Sequence, residues 1–129
     1  MARGALAPGK LVRWAEIEHE VSVRLVDGHV MLEASRKPDP DVISALRECR
    51  AEIKEWLEVG EAHQAALRRV HARCESLPEP RPKPEWLEIV EFQAAIAGAE
   101  ESGECDRMRA AIKFWEAGLS AWIDSARDP

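Results

Sequence analysis

A chain of 129 residues, 46% hydrophobic and 33% charged, can bury a core and carries too much charge for a membrane-embedded fold. No apolar run approaches the roughly 20 residues that cross a bilayer, and "MARGALAPGKLVRW" lacks the continuous apolar stretch of an export signal. A cytoplasmic protein is expected, and its net charge of −6 argues against a broad phosphate-binding surface.

Pro8-Gly9 sets a short start apart from a first helix over about 10–20, where Leu11, Trp14, Ile17 and Val21 recur at helical spacing. "VSVRLVDGHVMLEA" then changes period from three-and-four to two. Asp27-Gly28 is the signal of a two-residue type I′ turn, which needs positive φ at both central residues. That turn pairs Val26 with His29, Leu25 with Val30, Val23 with Leu32 and Val21 with Ala34. One face of the hairpin is then wholly apolar (Val21, Val23, Leu25, Val30, Leu32, Ala34). The other carries Ser22, Arg24, Val26, His29, Met31 and Glu33. Turn chemistry and side-chain alternation select the same register.

Asp39 reads as an N-cap, followed by Pro40 at the first helical position and Asp41 in the first turn. The helix it opens, about 40–58, carries Val42, Leu46, Cys49, Ile53 and Trp56 or Leu57 on one face, and Gly60 is expected to bend or end it. A further helix over about 61–76 has a thinner stripe of Ala62, Ala66, Leu67, Val70 and Cys74. Two strands are marginal alone in water, so the flanking helices must cover the hairpin's apolar side.

Proline at every second position from Pro78 to Pro84 favours an extended connector. Beyond it, residues 85–100 carry Trp86, Ile89, Val90, Gln93, Ile96 and Ala97, and Gly103 supplies a turn. The last helix, about 104–126, shows Cys105, Met108, Ile112, Trp115, Leu119, Trp122 and Ala126 at alternating steps of three and four. Packing of this stripe on the preceding helix is the favoured reading. A homodimer seam or partner groove is the alternative, with Trp115 and Trp122 as its contacts if they are exposed.

The expected fold is therefore α+β and predominantly helical. An α-β-β-α(-α) module over 1–60 is followed by a connecting helix (61–77), a Pro-rich linker (78–84) and a helical hairpin (85–129).

Chemistry has little support in the sequence. His63, His71, Cys74 and Cys105 are metal-ligand types, but their spacing does not match the paired ligands of zinc sites, and no metal is assigned. Cys49, Cys74 and Cys105 are an odd set without CxxC spacing and read as reduced thiols on helices. No phosphate-cradling glycine motif and no nucleophile motif occurs, so no catalytic residue and no cofactor is assigned. Arg68, Arg69 and Arg73, and Arg107, Arg109 and Lys113, lie among glutamates and read as surface ion-pair partners.

Val23, Leu25, Gly28, Val30 and Leu32, with Pro40, Leu46, Arg50, Glu52, Ile53 and Leu57, resemble the TubC-type N-terminal docking domain over about residues 10–58. That family's hairpin reads V-x-L-x-x-x-G-x-x-L and its closing helix L-x-x-x-K-x-E-I-x-x-L, with arginine here in place of the lysine. The resemblance implies a noncatalytic module that pairs with itself and receives a partner's C-terminal tail along a hairpin strand. No condensation-type or carrier-type motif follows residue 60, which points to a stand-alone protein reusing the module, and its small size suggests a phage or other mobile element as its source.

A protein or peptide partner is thus expected at the hairpin, selected by Arg24, His29, Met31 and Glu33. The competing expectation is a small inhibitor or regulator that binds a nucleic-acid-handling complex through its acidic surface, without touching nucleic acid itself.

Overall fold

The computed structural model describes residues 6–76 and 86–127, without the side chains of 86–90 and 125–127. The elements in order are α1 (Pro8–His19), β1 (Val21–Val26), β2 (His29–Ala34), α2 (Pro40–Glu48), α3 (Arg50–Glu75), α4 (Trp86–Ser102) and α5 (Cys105–Arg127). The fold is the predominantly helical α+β class expected, with one antiparallel hairpin. The Pro-rich segment at 78–84 lies outside the described residues, as do the side chains of Trp86, Ile89, Val90 and Ala126.

The hairpin has the register that its turn dictates, from Val26↔His29 through Val23↔Leu32 to Val21↔Ala34. Asp27 and Gly28 take φ of 51° and 78°, the left-handed values a type I′ turn requires. Val21 and Val23 are buried, while Leu25, Val30 and Leu32 are partly covered.

On α1 the buried face is Gly9, Leu11, Val12 and Ala15, and Ile17 stands 72% exposed. Of the expected stripe, Leu11 lies in this face, Trp14 packs partly buried beside it, and Ile17 falls outside it. Positions 11, 12 and 15 also lie together on a 3.6-residue turn, and the small Gly9 and Ala15 let the helix approach closely. Helix α2 begins as its sequence signals: the Asp39 Oδ1 accepts the Asp41 backbone N–H at 2.9 Å, and Pro40 occupies the first turn.

The next boundary differs from expectation. The helix breaks at Cys49 (φ −106°, ψ 20°), and α3 then runs unbroken through Gly60. A helical glycine is less favourable than alanine by about 1 kcal/mol. That is too little to end a helix held by Val59, Ala66 and Val70 in a packed core.

Two cores result. Leu11, Ala15, Val21, Val23, Val42, Leu46 and Ile53 close one between the hairpin, α1, α2 and the start of α3. Val59, Ala66, Val70, Ile96, Met108, Ile112, Trp115 and Ile123 form the other between α3, α4 and α5. Trp56 packs against both.

Ion pairs tie α3 to α5 along their lengths: Arg109 donates to Glu55 at 2.6 Å, Arg69 to Glu116 at 2.9 Å and Arg73 to Asp124 at 2.6 Å. The order of these partners makes α3 and α5 parallel, with α4 antiparallel to both. A second tie joins the two ends of the fold. The Gly9 backbone N–H donates to the Gly103 carbonyl at 2.9 Å, so the α4–α5 turn satisfies an orphan donor at the start of α1. Gly103 has φ of 69°, and a Cβ there would lie 2.5 Å from the Lys10 nitrogen. The contact therefore demands glycine.

Candidate partner-binding face

The outward face of the hairpin follows from strand alternation. Arg24, Val26, His29, Met31 and Glu33 are all exposed, with Val26 45% and Met31 51% accessible. Arg24 on β1 is hydrogen-bonded to Glu33 on β2, across the diagonal from its direct neighbour Met31. The four hairpin residues expected to select a partner thus share one surface. It has an apolar patch (Val26, Met31) toward the turn and an ion pair toward the base.

Backbone groups add to this surface. With a two-residue turn, Val26↔His29 is a hydrogen-bonded pair, and the pairs alternate from there. Leu25↔Val30, Val23↔Leu32 and Val21↔Ala34 are then non-hydrogen-bonded pairs, so the N–H and C=O of Val30, Leu32 and Ala34 point away from β1. The sheet has two strands, so the outer edge of β2 has no ladder partner among the described residues. Its side chains are anchored below, where Val30 and Leu32 pack on the first core.

The two tryptophans proposed from the last-helix stripe are not part of this face. Trp115 is 6% exposed and sits in the second core, edge-on to His63 at a ring separation of 5.9 Å. It has no surface to offer a partner, which corrects its candidacy. Trp122 is partly buried against the same core. The stripe does pack inside the chain as favoured, and it gains Ala111 and Ile123, which a single a/d seam leaves out.

The metal-ligand types also separate. The His63 Nδ1 lies 3.9 Å from Glu100 and the His71 Nε2 lies 3.0 Å from Glu75, while the Cys105 Sγ faces the Glu52 carbonyl. Among the described residues no group of three or more His, Cys, Asp or Glu side chains converges on a common point. Burial raises the thiol pKa of Cys49, helped by Glu52 and Glu48, and burial with Glu55 raises that of Cys105. Both shifts lower the thiolate fraction and with it nucleophilicity.

The basic residues singled out in the sequence are largely committed. Arg69 donates from Nε and Nη2 to the two carboxylate oxygens of Glu116, both at 2.9 Å, and this fork holds the Glu116 carboxyl below the usual carboxylate range. Arg109 bridges Glu55 and Asp106.

One feature escaped the sequence reading altogether: a cleft where α1, α3, α4 and α5 meet, open above Gly60. Its only sequence signal is a glycine inside a helical pattern. No family model, curated protein or solved structure matches the chain.

Proposed function

We propose that this protein is a noncatalytic docking module that receives an extended segment of a cytoplasmic protein partner along the outer edge of β2. The observation that carries the reading is the alignment of two things on one strand. The unladdered backbone groups of Val30, Leu32 and Ala34 lie beside an exposed side-chain row of His29, Met31 and Glu33. An incoming strand finds donors and acceptors in the first and selective contacts in the second. The order α1-β1-β2-α2-α3 agrees with the docking-domain resemblance.

The test is affinity capture from the native host with wild type and with an Arg24→Glu, Met31→Asp double variant. Loss of the captured partner is expected, together with slowed hydrogen exchange at the Val30, Leu32 and Ala34 amides in the wild-type complex. Equal capture by the double variant, or unchanged exchange at those amides, removes the hairpin from the contact.

A further inference from the structure

The cleft above Gly60 is open to solvent and has a volume of about 290 Å³, just under the roughly 300–1,000 Å³ of ligand pockets. It lies between the two cores, and its apolar lining is Trp56, Val12 and Met108. Gly60 opens it. A Cβ at this position would meet nothing within 4 Å, so packing does not exclude a side chain there. The helix nevertheless forgoes about 1 kcal/mol of propensity at that turn. A larger cleft of about 610 Å³ between α3 and α5 is rimmed by Arg69 and Arg109, which already hold Glu116 and Glu55.

The charges around the smaller cleft are differently disposed. Arg13 and Glu16 stand on the α1 wall, and among the described residues neither makes an ion pair within 4.0 Å. They are three residues apart on a helix, which brings their side chains to neighbouring positions about 5–6 Å apart. Across the cleft Glu100 is turned toward His63 at 3.9 Å. One uncommitted cation and one uncommitted anion therefore border a cleft lined by Trp56, Val12 and Met108 together with the polar His63 and Gln64.

We infer that this cleft binds a free α-amino acid with a large apolar side chain. Its carboxylate meets the Arg13 guanidinium and its ammonium meets the Glu16 carboxylate. Its side chain lies over the bare backbone at Gly60 against Trp56 and Met108. A purely apolar ligand would leave both charges of α1 unused, and a simple anion or cation would use one of them. A zwitterion uses both. The cleft does not include the hairpin face, but Glu16 also borders a groove with Glu33 and Ala34, so partner capture is measured on Glu16→Gln as well.

Titration calorimetry and saturation-transfer NMR on the full chain with L-phenylalanine test it. Saturable binding is expected below about 10 mM. N-acetyl-L-phenylalanine lacks the ammonium and L-phenylalaninamide lacks the carboxylate; each is expected to bind about tenfold more weakly. Gly60→Leu fills the cleft and is expected to abolish binding while melting at or above the wild-type temperature. Glu16→Gln, a change on an exposed helix face, is expected to weaken L-phenylalanine but not its N-acetyl derivative. Absence of binding to wild type up to about 10 mM overturns the inference. So does binding of either derivative as tightly as L-phenylalanine, or undiminished binding of L-phenylalanine to a folded Gly60→Leu or Glu16→Gln variant.

Discussion

The two cores of this protein are built by different rules. The first is assembled from neighbours in sequence: α1, a tight hairpin and α2 follow one another within residues 8–48, and each is started or stopped by a local signal. The second draws α3 against α4 and α5 across a long separation, with charge pairs such as Arg69–Glu116 and Arg109–Glu55 between helices that local signals do not relate. Local signals fix how the first core is connected; the stripes of the second can be read, but the pairing of its helices has to be seen.

Whether the two cores melt as one unit is the sharpest question that this contrast raises. Ile53 is fully buried in the first and Ile123 in the second. Replacing either by alanine is expected to remove about 4 kcal/mol. Because α3 and Trp56 belong to both cores, each variant is expected to shift a single transition seen alike by tryptophan fluorescence and by far-ultraviolet dichroism. Two separated transitions would make the cores independent.

Gly103→Ala comes next. It forces a Cβ into a left-handed position 2.5 Å from the Lys10 nitrogen, and a loss of about 3 kcal/mol is expected in thermal or urea melts. If the variant leaves stability unchanged, the tie between the α4–α5 turn and α1 contributes nothing and the cores are linked through α3 alone. Asp39→Ala probes a purely local device, the cap of α2, and is expected to cost about 1 kcal/mol in the same urea melts. On the exposed hairpin face Met31→Thr is expected to change stability by less than about 0.5 kcal/mol while weakening partner capture, which separates binding from folding.

The smallest effect concerns the charge pairs of the second core. The Glu116 carboxyl is held below its ordinary value by Arg69, so its contribution is fully present above the unfolded-state pKa near 4.3. It is lost as pH falls through the lower folded value. The wild-type melting temperature is therefore expected to fall slightly more steeply than that of Arg69→Gln between about pH 5 and pH 3. Parallel curves would show that the fork contributes nothing to folding.

Legibility in the sequence follows the same division. Asp27-Gly28 fixed the whole strand register, because a two-residue turn leaves one alignment and the alternation of Val21 to Val26 agrees with it. Asp39-Pro40 marked a helix start for an equally local reason. The break at Cys49 was not legible: nothing in its side chain forbids helix, and the residues on both sides of it, Leu46 and Ile53, belong to the same core. Ile17 was misplaced because twelve residues of α1 allow two adjacent stripes, and only the close approach permitted by Gly9 decides between them. The two sides of the hairpin were readable except at Ala34, which was expected on the covered side and is exposed. The cleft above Gly60 was not readable, since it is made by four helices whose mutual positions no spacing encodes.

At about 1.5 Å per residue the 26 residues of α3 form a rod of about 39 Å, so a tilt of about 10° at Cys49 would swing its far end by about 7 Å. The hydrogen bond from Gly9 to Gly103 opposes that swing by joining α1 to the α4–α5 corner. The fold thus has a brace between its first helix and its last corner, set apart from the open strand edge.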